Sequence, residues 1–396
     1  MATILEKLSL GKVVKGGQGK KEMSLSLDKT IESFKVYESF DDAESAWVEI
    51  QGQANCHVFQ TFEWQTIWME TMGRAEGVVP AIVVFQAGNG SKMLLPLGVR
   101  RSKGVRVLEW LGGFFADYQG PVIKHSFPDF THAEEFLNLW RATCRALPKY
   151  DVCRLKRQPA MFDDKRNPFV QFLHPTRAYG KARHLDIHEA SCDLSDFLVK
   201  PKRLSDSRRQ IRRLNEIAEV EFCSPVEPKE RSALAQTILS QKSAWHKSNN
   251  TRHPLDREPV QEFFNRLSLL SSGTFEVRID ELRLANNTLA AHLGFQFQNR
   301  FYYFMPSYEL GSWQKYSPGR LLLEHLVENC LKEGVDTFDF TIGEEQYKES
   351  WRVGRDDLFE YCAPTTLRGV GYILLLQAKR GIKSVVGNLR KYSWHG

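Results

Sequence analysis

Thr288-Leu289-Ala290-Ala291-His292-Leu293-Gly294-Phe295-Gln296-Phe297-Gln298, then Arg300-Phe301-Tyr302-Tyr303-Phe304-Met305-Pro306, then Tyr316-Ser317-Pro318-Gly319-Arg320, decide how this chain folds. The first two runs are apolar, aromatic and bounded by turn residues, so they predict strands. A further strand is expected just before them, over 276–285, with Asn286-Asn287 and Asn299 at the turns. A loop over 307–316 leads into a helix at about 318–333. Pro318 suits a first helical turn, because the N–H it lacks has no helical partner there, and Gly334 suits the stop. A strand at 336–342, a short helix at 344–351 and a last strand at 358–363 complete the unit.

The order strand, strand, loop, helix, strand, helix over 288–351 carries chemistry at the helix start. Gly319 lets a ligand approach the backbone closely. Free N–H groups and the positive end of the helix dipole then form an anion site of the kind a diphosphate uses.

Outward from this unit the pattern stays mixed. Strands are expected at 31–38, 80–86, 92–100, 105–111 and 151–156, and helices at 41–50, 59–72 and 131–146, the last with Thr131 as its cap. Over 194–220 the sequence predicts one strongly basic helix carrying Lys200, Lys202, Arg203, Arg208, Arg209, Arg212 and Arg213. Two more helices follow, at 228–247 and 256–271. Residues 1–30, rich in Gly, Lys and Ser, read as a disordered tail. Residues 369–392 read as an apolar helix that turns basic at Lys379, Arg380, Lys383, Arg390 and Lys391. The expected division is a tail (1–30), a first domain (31–190), a basic helical connection (191–272), a second domain (273–368) and a C-terminal helix (369–396). The fold class is therefore α/β with mixed sheets in two domains, and an acceptor cleft is expected between them.

At 396 residues, 42% hydrophobic and 26% charged, the chain has the composition of a globular protein and not of a disordered one. The net charge of +6 is modest: it fits an acidic ligand or surface without requiring nucleic acid. Seven scattered cysteines, with no CxxC pair, fit reduced thiols of a cytoplasmic protein. Residues 1–30 lack the apolar core of a secretory signal, and no apolar run is long enough to span a bilayer. Hydrolase and dehydrogenase readings find no support, since no catalytic triad, zinc spacing, P-loop or dinucleotide fingerprint is present.

Leu289–Gly294, Tyr302-Tyr303-Phe304, Tyr316-Ser317-Pro318-Gly319, Phe338-Asp339-Phe340-Thr341-Ile342-Gly343 and Tyr347-Lys348-Glu349-Ser350-Trp351 together resemble the GNAT acyltransferases of the CelD-like (BioF2-like), FemAB-related group. The resemblance reaches back through Phe59–Trp68, Leu95-Pro96-Leu97, Asp117-Tyr118-Gln119-Gly120-Pro121 and Arg208–Leu214, and so covers most of 55–363. It implies tandem GNAT-like folds, an acyl-CoA donor (acetyl-CoA first) and no metal. The implied acceptor is an amine, often of an amino sugar in exopolysaccharide or cell-envelope synthesis. The donor diphosphate would rest on the backbone N–H groups of Ser317, Gly319 and Arg320 beside Tyr316, and the pantetheine would lie along 300–306. One departure is plain: the usual Gln/Arg-x-x-Gly-x-Gly/Ala loop is replaced by Tyr316-Ser317-Pro318-Gly319.

Amine attack on a thioester needs a base for the ammonium, polarisation of the carbonyl and an acid for the departing thiolate. Tyr347 stands where many GNATs keep the phenol that protonates the thiolate. His292 and Asp339 are candidate bases, each on a strand expected to face the cleft. Lys348 and Arg320 are candidates to hold phosphates or a carboxylate. Asp117 and Tyr118 are candidates for the acceptor side, as are Arg208, Arg209 and Arg212, whose one-sided charge fits an acidic acceptor. The expected partner is a small-molecule or lipid-linked sugar, with an anionic membrane surface open to the basic segments and nucleic acid not expected. Two rivals remain: an aminoacyl-tRNA-dependent FemAB-like transferase, and a non-catalytic GNAT-fold module that binds a nucleotide or other anion.

Overall fold

The computed structural model describes residues 13–15, 20–24, 31–174, 176–187 and 193–378. The basic end of the expected C-terminal helix, 379–392, lies outside the described residues. The chain divides into two units whose segments alternate along the sequence. The first comprises Met1–Cys56, Glu76–Ala178 and Phe359–Gly396, and the second His57–Ala75 and Tyr179–Leu358. This corrects the expected linear partition: residues 57–75 belong to the second unit, the basic connection is part of it, and the chain returns to the first unit at its end.

In the first unit the antiparallel partners Ile31–Tyr37, Ile82–Ala87 and Lys92–Leu95 form the middle of one sheet. Strands expected at 92–100 separate into Lys92–Leu95 and Leu97–Ser102 because Pro96 donates no ladder hydrogen bond. Part of the expected disordered tail is instead strand. Val13–Lys15 and Lys20–Ser24 pair in series onto Ile31–Tyr37, whose edge offers backbone groups that polar sequences can also use. Helix Phe40–Gln51 starts at Ser39, whose hydroxyl accepts the Asp42 N–H at 3.1 Å. Helix Ala133–Ala146 begins after His132, without the expected Thr131 cap. Its Phe136 and Trp140 pack edge-on against Phe169 at 5.1 Å in a core with Phe34, Phe85, Leu95 and Trp110.

In the second unit the elements are α1 (Phe62–Trp68), β1 (Thr176–Asp186), α2 (Arg203–Asn215), β2 (Val220–Cys223), α3 (Pro228–Ser248), α4 (Glu258–Ser268), β3 (Glu276–Leu284), β4 (Asn287–Phe297), β5 (Arg300–Tyr308), α5 (Pro318–Glu333) and β6 (Thr337–Ile342). The single basic helix expected over 194–220 is a short 3₁₀ turn, Leu194–Phe197, followed by α2 and β2. Pro201 and the chain reversal after Glu216 limit it. The helix expected at 344–351 is a 3₁₀ turn, Gln346–Ser350. β1 has no counterpart among the expected elements.

Strands β2, β3, β4, β5, β6 and β1 are neighbours in that order. β3, β4 and β5 form a meander with two-residue turns, in which Ala285 and Gln298 take positive φ of 50° and 52°. The α5 crossover then makes β5 and β6 parallel. α5 buries Leu321, Leu322, Leu326 and Val327 against Phe301, Tyr303, Phe338 and Phe340 on one sheet face. On the opposite face Phe59, Trp64, Phe263 and Phe264 meet Phe295, Tyr302 and Phe304. Gly334, at φ 71°, ends α5 as expected.

Candidate functional site: the opening between two parallel strands

β5 and β6 are paired at only three positions: Arg300 with Thr337, Phe301 with Phe338, and Tyr302 with Asp339. Beyond Tyr302 and Asp339 the strands part. Both are irregular at that point. The β4–β5 register slips between Leu293 and Phe295, and the β1–β6 register between Ala182 and His184. Each slip places an extra residue on the strand that borders the opening. Gly294 permits the first, since a Cβ there would lie 2.3 Å from the Tyr302 carbonyl oxygen and 2.4 Å from the His292 ring. At the second, Thr341 takes φ 56°, an uncommon conformation for a β-branched residue.

The parted strands leave backbone carbonyls to be satisfied in other ways. The Lys242 ammonium, from α3, donates to the Pro306 carbonyl of β5 at 3.1 Å. The buried Lys348 ammonium donates to the Phe340 and Ile342 carbonyls of β6 at 2.9 and 3.3 Å and pairs with Glu345 at 2.9 Å. Lys348, expected to hold a donor phosphate, therefore fixes the β6 wall. Burial pulls the Lys242 pKa below its usual value, with Lys348 adding to the effect and Glu345 opposing it. Burial works against ionisation of Glu345, but Lys348 and Lys242 outweigh it and hold its pKa below the ordinary range. Gly343, at φ 141°, leaves room for this carboxylate, because a Cβ would fall 2.2 Å from Glu345 Oε2.

Two phenols share this place. The Tyr303 and Tyr347 ring centroids are 6.4 Å apart. Burial raises the pKa of both, Glu345 raises both further, and Arg183 draws Tyr347 back down. Both phenols are thus protonated near neutral pH, as an acid requires. Beneath Tyr303 lies His292, stacked at 4.6 Å and fully buried. Its Nδ1 is 3.5 Å from Asp280, and among the described residues no hydrogen-bond partner meets its Nε2. Burial lowers the His292 pKa, against the opposing effect of Asp280. The imidazole lies behind the phenol and away from solvent, so it is a support for Tyr303, whereas the sequence expectation put it at the cleft as a base.

Asp339 departs from expectation. It points to the other sheet face, fully buried, where it meets Arg300 at 3.0 Å and accepts the Thr341 N–H at 2.7 Å. It holds the irregular turn of β6 in place. The same face brings together groups that the sequence did not single out. His57 Nδ1 lies 3.0 Å from the Tyr302 hydroxyl, and His184 Nδ1 lies 3.1 Å from Asp356.

At the helix start, Ser317 takes φ 57° and Pro318 opens α5 as expected. The amide row is shorter than anticipated. The Ser317 N–H donates to the Gln314 carbonyl at 2.9 Å and the Arg320 N–H to the Ser317 carbonyl at 3.0 Å. The left-handed turn at Ser317 makes both of these bonds. Among the described residues no hydrogen bond occupies the Gly319 N–H, and Tyr316 is packed into the core. The Arg320 guanidinium is bound to Asp206 of α2 at 2.8 Å, so it ties α5 to the basic helix. Asp206 also holds Arg209, whereas Arg208, Arg209 and Arg212 all remain exposed. Arg208 borders a cleft of about 410 Å³ between α2 and α5, floored by Leu204, Ile211 and Leu321.

In the first unit, Asp117 lies 3.4 Å from Arg157, which also binds the Phe114 and Ala116 carbonyls, and Tyr118 is buried. These contacts fix the loop before Gly120.

Residues 201–349 match the acetyltransferase (GNAT) domain family. This stretch of the chain therefore carries a GNAT-type domain. Its match spans α2 through the Tyr347 turn, and with it the whole strand opening. The domain match supports a transferase. Among solved structures, FemX is similar over 82% of this chain and 96% of its own, with a TM-score of 0.55 and 10% identity, a likeness of fold. A tandem GNAT protein from the clavulanic acid biosynthesis pathway is similar over 82% and 97%, with a TM-score of 0.46 and 10% identity. A C-terminal domain of a putative lysylphosphatidylglycerol synthetase from Agrobacterium fabrum is similar over 85% and 95%, at 0.47 and 10%. No curated protein matches the sequence significantly. No described helix is long and apolar enough to cross a membrane. Among the described residues no cluster of His, Cys, Asp or Glu could hold a metal ion.

Arg183, Lys242, Tyr303 and Glu345 belong to the site, and the sequence reading missed them as functional residues. Only Glu345 and Tyr303 lie inside the motif blocks or beside them; Arg183 sits in a strand the periodicity did not reveal.

Proposed function

We propose that this chain is an N-acyltransferase that moves an acyl group, acetyl first, from acyl-CoA to the amine of an amino sugar used in exopolysaccharide or cell-envelope synthesis. One observation carries the reading: β5 and β6 part, the Lys242 and Lys348 ammonium groups bind the carbonyls of the parted strands, and the Tyr347 ring packs near Tyr303 and Phe340 of the same two strands. An extended thioester carrier fits a strand edge of this kind, with Gly319 contributing an amide toward its diphosphate. In the reaction the amine nitrogen forms a bond to the thioester carbonyl carbon and the carbon–sulfur bond breaks. Glu345 takes the proton that the ammonium loses and passes it to solvent, and then takes the second proton that the nitrogen sheds once the carbon–nitrogen bond has formed. Lys242 stabilises the developing oxyanion. Tyr347 gives its proton to the departing thiolate and is reprotonated from solvent.

The test is free-thiol release from acetyl-CoA with glucosamine as the amine, followed by mass measurement of the product. Amine-dependent thiol release with a product heavier by one acetyl group supports the reading. Acetyl-CoA that neither binds nor releases thiol defeats it. A second reading, transfer from aminoacyl-tRNA, is favoured by the exposed Arg208, Arg209 and Arg212 on α2. Retardation of a charged tRNA by the protein, with no acetyl-CoA binding, would replace the first reading with the second.

A further inference from the structure

Arg183 is buried on β1, its side chain 6% exposed, and it is bound to Glu349 through Nη2 at 2.6 Å. Among the described residues its Nε and Nη1 are buried without a hydrogen-bond partner. Such a state costs free energy that a folded protein ordinarily avoids. A guanidinium presents its N–H groups as two forked edges that share Nη2. Glu349 Oε1 engages one Nη2 hydrogen. The other Nη2 hydrogen lies beside an unpartnered N–H whichever one Glu349 has taken, so a complete two-pronged edge remains open. Arg183 stands opposite the Phe340-Thr341 bulge of β6, between the pairs Ala182–Ile342 and His184–Asp339, and its partner Glu349 is two residues from Tyr347, the proposed acid of the reaction. Glu349 is itself half-exposed and has a second cation, Arg355, at 3.0 Å from its other carboxylate oxygen. It can release Arg183 without losing all of its own pairing.

We propose that Arg183 is the recognition site for an acidic group, a carboxylate or phosphate, on the amine acceptor, and that Glu349 occupies its place until the acceptor binds. The proposal rests on the acyl-transfer reading for the identity of the ligand as acceptor. It narrows the acceptor class from amino sugars in general to acidic amino sugars. A planar carboxylate meets both prongs of the fork, and a phosphate can do so with two of its oxygens. Glu349 is the intramolecular competitor, so its charge sets the apparent affinity for either.

The experiment uses the full chain and three probes that share an amine: glucosamine, glucosamine 6-phosphate and 2-amino-2-deoxyglucuronic acid. Binding is measured by calorimetry, independently of turnover. The expected result is at least tenfold tighter binding of one acidic probe than of glucosamine. The ratio should fall to about one in Arg183→Gln and be partly kept in Arg183→Lys. Glu349→Gln, which leaves the guanidinium in place, should bind the acidic probe several-fold more tightly than the wild type. The two acidic probes distinguish a carboxylate from a phosphate. Equal affinity for all three probes, no binding of any, or an acidic preference untouched in Arg183→Gln overturns the proposal. Should Arg183→Gln fail to fold, unchanged affinity in Glu349→Gln overturns it alone. Acidic preference without thiol release from acetyl-CoA would leave the anion site standing and remove the acyl-transfer reading. Thiol release without acidic preference would do the reverse.

Discussion

Replacing Asp339 by Asn separates a structural carboxylate from a catalytic one. The wild-type side chain is fully buried, with one oxygen accepting the Thr341 N–H at 2.7 Å and the other meeting Arg300 at 3.0 Å. Asparagine keeps the size and an oxygen for Thr341, but it loses the charge that Arg300 faces. A hydrogen bond to a charged group contributes about 1.5–3 kcal/mol. Arg300 is 24% exposed and regains part of this from water, so the loss should fall near the lower end, about 2 kcal/mol. Asp339→Ala also abandons the Thr341 N–H and should cost about 3–5 kcal/mol. Urea unfolding reads both. The two-unit chain calls for a probe in the second unit, because a single transition is not guaranteed. At slopes of about 1–3 kcal/mol per molar urea, a 2 kcal/mol loss moves the midpoint by about 1 M. The pH–rate profile of Asp339→Asn should keep the wild-type shape. An unshifted midpoint combined with abolished turnover would refute this reasoning and make Asp339 the base that the sequence reading expected.

Tyr347→Phe removes only the hydroxyl from a ring that packs near Phe340 and Tyr303, so acyl-CoA affinity should hold while turnover falls about 10²–10⁴-fold, measured by thiol release and calorimetry on the same preparation; undiminished turnover would take the acid role from Tyr347. Charge reversal at Arg208, Arg209 and Arg212 together should weaken acceptor binding at low salt and leave acyl-CoA binding intact, since these side chains are exposed and lie off the strand opening; loss of donor affinity instead would assign α2 to the donor. The Arg106 guanidinium and backbone N–H hold the Asp151 carboxyl at a pKa of about 2, against an ordinary value near 4. Its folded pKa is depressed, so this contribution is present above about pH 4 and is lost as the pH falls toward 2. Acid unfolding of Asp151→Asn should therefore show a flatter pH dependence there than the wild type, and identical slopes would contradict the assignment.

Local pattern determined much of this molecule. The apolar, aromatic runs over 288–306 with their turn residues specified two strands, Pro318 and Gly334 bracketed α5, and the clustered aromatic and glycine motifs around Asp339 and Tyr347 fall within the stretch that matches the GNAT domain family. These signals lie within a few residues of one another, where caps, turns and side-chain period act. Tertiary structure decided what each side chain does. It turned Asp339 to the far sheet face, gave the Ser317 and Arg320 amides to neighbouring carbonyls, and set Lys348 against the β6 backbone. It also brought Lys242 to Pro306 across 64 positions of sequence and Arg183 to the Tyr347 turn. Strand register and the two bulges fix those placements, and register depends on which distant strand is the partner. A sequence records the residues that can make such contacts, whereas the pairing that selects among them exists only once the sheet has closed around its core.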